Sequence, residues 1–573
     1  MRAMLLNRPD RLQNDRRRCQ TGHDLRGTKV GEMASHSPAD LSPTIRHMRH
    51  RRPGQAKVSR LPGERAVVIG AGHNGLICAA YLAKAGIETT VVEARDSVGG
   101  CASTVNVIGA KVNICNCDHL WVRGTPIVDE LELEQHGLRY LDLDPGYASL
   151  GWEHETPWVL YHDLERTLDG LATTHPHQVA AYRRYAAATR PLARLMKDVT
   201  NGVPELGWVT RQAITHRGRG LRALARLSRR SALEAFGLYF EDEELVRPGL
   251  TVGPAVWGLD PATPGTGLAA LGHAIKHEIV IGRPVGGSGA FTDAVHSAFI
   301  AAGGTTRTSA RVTQVLCRGE ATAGVRLETG ESIDADIVVS ACDPRRLWAE
   351  WLQNPPAAAA PTVARWKAAP EQDGYESKID ALISAPPTYP DLAAAIAIDP
   401  DVRHATVLIS PSVAEMQSAH ARLSQGAIAE HPIFISNTPS TLDSTMRSES
   451  GDHVLSLEAL WTSYESDAAS SRTAAERWLR AWGTLTEQAV DDIIEWRLMG
   501  PADYEREFSM ARGHAPSFTG TPLSAVRGKP TELTRYRTPV QGLYMSGAGT
   551  YPGAGIWGAP GRNAASTIIR AHR

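Results

Sequence analysis

The chain has 573 residues, of which 42% are hydrophobic and 21% charged, and its 61 basic and 62 acidic residues leave a formal net charge of -1. This composition excludes a chain that is disordered throughout, and it gives no global sign of a nucleic-acid partner. No apolar run reaches the ~18 residues of a transmembrane helix, so we expect at most peripheral contact with a membrane. The seven cysteines are an odd number and predict a reducing, cytoplasmic setting rather than a disulfide framework.

Residues 1–60 differ from the rest of the chain. They contain a run of three arginines at 16–18, further arginines and interspersed Ser and Pro, without apolar periodicity. We interpret this stretch as a basic, disordered tail, or as translation drawn too early, with Met33 or Met48 as the true start. A targeting or interaction arm is the alternative.

Folded structure is predicted to begin near Arg65. An apolar run at 66–69 predicts a buried strand, residues 76–85 predict a helix, and residues 88–92 predict a second strand. These elements form a β-α-β unit.

The chain then becomes rich in helical patterns, and it returns to strands after Gly286. A mixed region follows, and a strand, a Gly-rich loop and a helix close the chain after Gly542. The predicted helices are 178–196, 221–235, 290–302 and 474–485, and the predicted strands are 311–316, 323–328, 337–341, 434–436 and 453–458.

The strongest motif is the sequence GAGHNG, which places Gly70, Gly72 and Gly75 between the first strand and the first helix. In a dinucleotide-binding turn the first glycine makes the turn, the second admits a diphosphate and the third lets the helix pack on the strand. Glu93, at the end of the second strand, is placed to accept hydrogen bonds from a ribose. Gly99 and Gly100 let the backbone run against the cofactor, which favours FAD over NAD.

Near the C-terminus, Gly547, Ala548 and Gly549 let the backbone pass close to a ribityl-phosphate chain. Pro560 and Gly561 then open a helix at about residue 562. A helix N-terminus aimed at the pyrimidine edge of a flavin favours the negative charge that develops there on reduction.

These motifs resemble those of the phytoene desaturase and carotenoid isomerase-like flavoproteins. The similarity is carried by residues 67–104, by 264–267 with 286–289, and by 542–553 with 558–563. It spans the chain from about Arg65 to the end. It is nearest the branch related to pyridine nucleotide-disulfide oxidoreductase domain-containing proteins.

The resemblance implies an α/β fold with a discontinuous Rossmann-like FAD-binding domain and an inserted α+β substrate domain. The FAD-binding segments are expected at 61–125, 280–345 and 526–573, and the substrate-domain segments at 126–279 and 346–525. Val312 is expected to hold the adenine through its backbone. The full set of expected FAD-binding residues is Gly70, Gly72, Asn74, Gly75, Glu93, Ala94, Arg95, Gly99, Gly100, Val312, Gly547, Ala548, Gly549, Gly558 and Asn563.

Weaker patterns leave alternatives open. Cys115, Cys117 and His119 would face one way on a strand, as packing residues, substrate contacts or metal ligands, but no fourth ligand is evident and we predict no metal. Cys101 follows the glycine pair and is a candidate for a position near the flavin. His273 and His277 lack the Glu of a zinc hydrolase motif. Other residues are candidates for the substrate pocket, with His514 as an acid or base; they are Arg512, His514, Tyr551 and Trp557.

The resemblance predicts an FAD-dependent dehydrogenase that forms a double bond in a hydrophobic organic molecule and passes electrons to oxygen, a quinone or another acceptor. A flavin-dependent isomerase or saturase is the first alternative. A flavin-binding assembly protein without turnover is the second, and an NAD-dependent dehydrogenase is the third. No catalytic residue is predicted.

Overall fold

A computed structural model describes residues 63–374, 376–464, 468–488 and 490–573. The basic tail predicted for residues 1–60 lies outside these ranges. The described strands, in chain order, are β1 (Arg65–Ile69), β2 (Glu88–Val92), β3 (Thr104–Val107), β4 (Ala110–Asn113), β5 (Tyr140–Leu143), β6 (Tyr147–Leu150), β7 (Trp158–Leu160), β8 (Ile281–Pro284), β9 (Thr305–Arg307), β10 (Val312–Arg318), β11 (Ala321–Leu327), β12 (Ser332–Asp334), β13 (Ile337–Ser340), β14 (Glu376–Ile383), β15 (Thr406–Ile409), β16 (Phe434–Asn437), β17 (His453–Leu460), β18 (Ile493–Met499) and β19 (Leu543–Met545).

The helices connect and cover these strands. Within the described ranges they are α1 (His73–Lys84), α2 (Ile127–Glu130), α3 (Leu164–Thr174), α4 (Val179–Thr200), α5 (Leu206–Thr215), α6 (Leu221–Leu227), α7 (Ala232–Phe236), α8 (Glu243–Thr251), α9 (Gly272–Lys276), α10 (Gly289–Ala301), α11 (Ala360–Ala368), α12 (Ala393–Ile398), α13 (Val413–Leu423), α14 (Ala468–Gly483), α15 (Pro501–Phe508), α16 (Pro522–Arg527), α17 (Thr531–Thr534) and α18 (Ala559–Ala571). None of them is long and apolar enough to cross a membrane.

A five-stranded parallel sheet is built from distant parts of the chain, in the order β19-β13-β1-β2-β9. Successive residues of its central strand point to opposite faces, and both Val67 and Val68 are buried. Val68 packs with α1, α10 and α18, whereas Val67 packs with β10, β11 and Trp348. The sheet is therefore covered on both faces, as parallel sheets require.

A seven-stranded mixed sheet has the order β18-β14-β17-β16-β15-β6-β7. On one face Ile435 and Leu408 belong to a core with the helical region from α3 to α9. On the other face Ile379 and Leu455 pack against α14 through Trp478. The two sheets with their covering helices confirm the predicted α/β class; the domain boundaries stay a prediction.

Most predicted elements lie within a few residues of the observed ones, but the helix predicted at 221–235 is wrong. It is two helices, α6 and α7, separated by a short break. Ser231 begins α7 by accepting a hydrogen bond from the N–H of Glu234, while the Glu234 side chain accepts one from the N–H of Ser231. This reciprocal capping starts a new helix where the apolar periodicity suggests continuation.

Candidate active site

A cavity of about 750 Å³ lies between the two large sheets. On one side its wall contains Ile69 and Val92, the last residues of β1 and β2, together with the glycine motif. The opposite side contains Tyr147, Leu408 and Ile435 from the seven-stranded sheet. The cavity therefore opens at the carboxyl ends of parallel strands, where α/β proteins bind nucleotides.

The glycines of the first motif have three different environments. Gly70 has φ +97°, and a Cβ on Gly75 would lie 2.0 Å from the carbonyl oxygen of Gly70. These two positions exclude a side chain by conformation and by contact, respectively. Around Gly72, by contrast, no described atom outside the adjoining residues lies within 4 Å of the position that a Cβ would take. The space at Gly72 is therefore open, as the approach of a diphosphate requires.

Glu93 links this glycine turn to the chain that follows β2. Its Oε2 accepts a hydrogen bond from the N–H of Ala71 at 2.7 Å, and its Oε1 accepts one from the N–H of Arg95 at 2.9 Å. The N–H of Gly99 donates to the carbonyl of Ala71 at 2.8 Å. Glu93 thus holds the cavity wall in shape while its carboxylate also lines the cavity.

Three arginines line the same cavity. Arg95 lies over the ring of Phe508 at 4.4 Å, and its Nη1 is buried without a hydrogen-bond partner among the described residues. Arg311 donates to Ser509 Oγ at 3.2 Å. The Nε of Arg346 is likewise buried without a described partner. Sequence reasoning missed Arg311 and Arg346, because neither belongs to a local motif; the proximity of Arg311 to Val312 was the available signal.

The part of the wall away from the glycine motif is largely apolar. Trp121 belongs to it and stacks on Trp557, with ring centroids 4.3 Å apart. The apolar side chains of this part are Leu120, Trp121, Tyr147, Val252, Val256, Trp257, Ile281, Leu408, Ile435 and Ile556.

Titratable groups also face the cavity. Burial lowers the pKa of His73 to about 4, and the Nε2 of this ring has no described hydrogen-bond partner. Burial also lowers the pKa of Lys276 to about 8, so a fraction of these side chains is uncharged near neutral pH. Such groups are candidates for proton transfer. The glycine spacing gave no signal for either residue.

Ten of the fifteen residues predicted to bind the cofactor line this cavity. They are Gly70, Gly72, Asn74, Gly75, Glu93, Ala94, Arg95, Gly100, Val312 and Ala548. The Oδ1 of Asn74 is buried without a described partner, so it is available to a ligand.

The other five residues are Gly99, Gly547, Gly549, Gly558 and Asn563; they are not on this wall, and their contact with the cofactor stays a prediction. A Cβ on Gly547 would lie 2.6 Å from the carbonyl oxygen of Ala341, and one on Gly558 would lie 2.6 Å from Ile77 Cδ1. Gly549 packs against Pro344, and Gly99, at φ +110°, shapes the turn beside Ser103. Asn563 donates to the carbonyl of Thr200 and to Tyr536 Oη, both at 3.2 Å.

Cys115, Cys117 and His119 do not share one strand, because β4 ends at Asn113 and the chain then turns. Only Cys115 of these three faces the cavity, as does Cys101. His119 is buried and bonded to Tyr140 Oη and Ser288 Oγ. The described residues contain no cluster of three or more metal-ligating side chains.

The remaining candidates lie outside the cavity wall. His273 is hydrogen-bonded to Tyr147 Oη, and His277 to Tyr182 Oη, so both support the helical core. Arg512, His514, Tyr551 and Trp557 also lie behind the wall, whereas Ala515, Pro516 and Ile556 are on it.

Comparison with known proteins gives a consistent answer. The family model of flavin containing amine oxidoreductases matches residues 75–377. The chain is 27% identical over 553 residues to pyridine nucleotide-disulfide oxidoreductase domain-containing protein 2 of Rattus norvegicus, covering 88% of this chain and 93% of that protein. It is 23% identical over 512 residues to phytoene desaturase (neurosporene-forming) of Cereibacter sphaeroides, covering 87% and 93%.

The fold also matches solved structures. An oxidoreductase from Methanosarcina mazei superposes with a TM-score of 0.59 at 15% identity, covering 88% of this chain and all of that one. The open space at Gly72 and the unpartnered Nη1 of Arg95 fit an anionic dinucleotide. The chain belongs to the flavin containing amine oxidoreductase family and is an FAD-dependent oxidoreductase that acts on a small molecule with the help of an electron acceptor.

Proposed function

We propose that this protein dehydrogenates a C–C or C–N bond of a hydrophobic organic substrate. The observation that carries the proposal is that one cavity joins the glycine motif to an apolar wall on the seven-stranded sheet. When bound, FAD supplies a hydride acceptor at flavin N5. The chain supplies the binding and orientation that bring the substrate to it.

Residues on the glycine side of the cavity would hold the dinucleotide. The N-terminus of α1 at His73 presents free N–H groups, and Arg95 adds positive charge, so both favour a diphosphate. Glu93 would accept hydrogen bonds from the ribose, and the backbone of Val312 would contact the adenine. Gly100 and Ala548 would let the flavin portion pass close to the backbone.

Residues on the sheet side would hold the substrate. Leu408 and Ile435 offer apolar contacts on the strands, and Val252 and Val256 offer them from the helical region. Burying an apolar molecule there gains about 25 cal/mol per Å² of surface removed from water, and it also excludes water from the reacting bond.

Spectroscopy of the purified protein tests this proposal. We expect a flavin absorption spectrum, release of FAD on denaturation, and bleaching under anaerobic conditions by one class among apolar amines, hydrocarbons and polyenes. Flavin that dithionite reduces and no substrate class bleaches would instead favour an assembly protein. A product isomeric with its substrate would favour an isomerase.

We also propose that the α5–α6 region contacts a membrane surface. Leu206 and Ile214 are 70% and 72% exposed, and Leu221 on α6 is 41% exposed. Exposed arginines accompany them, namely Arg211, Arg217, Arg219, Arg222 and Arg226. Apolar side chains among basic ones suit an anionic lipid surface.

Sedimentation with phosphatidylserine vesicles tests this contact. The unaltered protein should sediment with the vesicles, and the double variant Leu206→Ser/Ile214→Ser should not. Sedimentation of the variant equal to that of the unaltered protein would contradict the contact.

A further inference from the structure

Two carboxyl groups, those of Glu376 and Glu458, lie on the cavity wall at one end of its apolar part. Glu458 on β17 faces Lys378 on β14, and Glu376 lies two residues before Lys378 on the same strand. Because side chains alternate between faces along a strand, all three lie on one face of the sheet. Glu376 and Glu458 are therefore diagonal neighbours across the strand pair.

The positive charges beside this pair are already engaged. Lys378 Nζ donates to the carbonyl of Asn113 at 2.9 Å and forms an ion pair with Asp380. Arg497 Nε donates to the other oxygen of Asp380 at 3.0 Å. Within the described network Asp380 forms ion pairs with both Lys378 and Arg497, and no ion pair joins Glu458 to either base.

Glu458 has an oxygen available to a ligand. The residue is 2% exposed, and its Oε1 makes no hydrogen bond with any described residue. A buried acceptor without a partner costs free energy, which a donor on a bound molecule recovers. Burial also raises the pKa of both carboxyl groups, that of Glu376 to about 7.

The residues next to Glu458 indicate the shape of the molecule that would bind there. Ile435 faces Glu458 on the next strand, and Leu408 faces Ile435 on the strand after that. With strands about 4.8 Å apart, an apolar row of roughly 10 Å leads to the carboxyl group. We propose that Glu376 and Glu458 form a polar subsite that selects substrates with an apolar body and a hydrogen-bond-donating end, a hydroxyl or an ammonium, over pure hydrocarbons.

This inference rests on the proposed function in assigning the cavity to the substrate. Its test measures binding rather than turnover, by calorimetry on the FAD-loaded full chain. The probes are octan-1-ol, heptyl methyl ether and octylammonium, which have similar apolar lengths and different ends. We expect the alcohol or the ammonium to bind about tenfold more tightly than the ether, which has no donor.

Variants connect the selectivity to Glu458. Glu458→Leu should abolish the preference for alcohol over ether, while Glu495→Leu, which changes an exposed carboxylate on β18, should keep it. Glu458→Gln replaces the carboxyl group with an uncharged amide of the same shape, which still has an acceptor oxygen. This variant should therefore keep the preference for alcohol over ether. It should bind octylammonium no better than octan-1-ol. Glu458→Gln still tests the role of Glu458 if Glu458→Leu fails to fold.

Equal binding of alcohol and ether by the unaltered protein would overturn the proposal, and so would a preference that survives in Glu458→Leu. Selective binding without bleaching of the flavin by any substrate would count against the proposed dehydrogenation and support the polar subsite. Bleaching by hydrocarbons together with unselective binding would overturn the subsite alone.

Discussion

Gly561 of α18 packs directly on Asn74 of the first glycine motif. A Cβ at Gly561 would lie 2.3 Å from the carbonyl oxygen of Asn74. The contact joins two motifs from opposite ends of the chain, and Asn74 also lines the cavity. The close approach of α18 to α1 is therefore part of how the site is assembled.

Gly561→Ala should separate these helices and destabilise the protein. We expect a loss of about 1–3 kcal/mol in the free energy of unfolding, since an added methyl group must push the backbone of α1 aside. Chemical denaturation measures the effect. Gly207→Ala is the control, because no described atom outside its own stretch of α5 lies within 4 Å of its Cβ position, and it should leave the stability unchanged or raise it. An equally stable Gly561→Ala variant would contradict the packing.

Replacing Arg562, the next residue, by Lys should destabilise the protein. Its Nε and Nη2 donate to the two carboxylate oxygens of Glu130, each at 2.7 Å, and Nη1 donates to the carbonyl of Asn201. A lysine cannot reproduce this forked geometry, so Arg562→Lys should cost about 1–3 kcal/mol in denaturation experiments.

Arg570→Lys is the matched control on the same helix. Arg570 and Glu205 are half exposed and 3.8 Å apart, so the change should cost under about 0.5 kcal/mol. Equal costs for the two variants would show that the forked pairing of Arg562 contributes no stability of its own.

The protein should become less stable as the pH falls below about 6.5. Burial lowers the pKa of His119 to about 3, below the value of about 6.5 in the unfolded chain. The unfolded state therefore binds the proton first, and stability present above pH 6.5 is lost as the pH falls toward 3. Each such histidine contributes a slope of about 1.4 kcal/mol per pH unit.

Two variants isolate His119 in this titration. His119→Gln removes the ionisable ring, so the slope of unfolding free energy against pH should become shallower. Ser288→Ala removes the hydrogen bond to His119 Nε2 and keeps the ring, so it should lower stability at neutral pH and keep a steep slope. An unchanged slope in His119→Gln would refute the assignment of this pH dependence to His119.

Glu93→Ala should weaken FAD binding. The change removes the acceptor for the N–H groups of Ala71 and Arg95, which shape the turn, and it also removes the proposed ribose contact. Reconstitution of the apoprotein, followed by flavin fluorescence, should show an affinity at least about tenfold lower. Glu88→Ala, at the exposed start of the same strand, should bind FAD normally. Normal affinity in Glu93→Ala would contradict both roles of the carboxylate.

The sequence predicted features that have a local physical cause. Gly70, Gly75 and Glu93 act within one β-α-β unit, so their spacing alone was informative. Arg346 and Glu458 were missed, because strand pairing between distant segments brings them to the cavity.

One interpretation of the cysteine pattern is wrong for an equally physical reason. Alternation along a strand was extended to Cys117, although β4 ends at Asn113 and the chain turns. The cofactor contact of Asn563 stays a prediction from its C-terminal motif, and its side chain bonds Thr200 and Tyr536. A motif indicates which helix is present, and packing decides which of its side chains reach the cavity.

The FAD content of Gly72→Val tests the central claim most directly. Gly72 has φ -68° and open space at its Cβ position, so the variant should fold with the thermal stability of the unaltered apoprotein. Its side chain would occupy the space assigned to the diphosphate. We predict a folded protein that is purified without flavin and does not take up added FAD. A folded variant that retains stoichiometric FAD would contradict the assignment of this motif as the cofactor site.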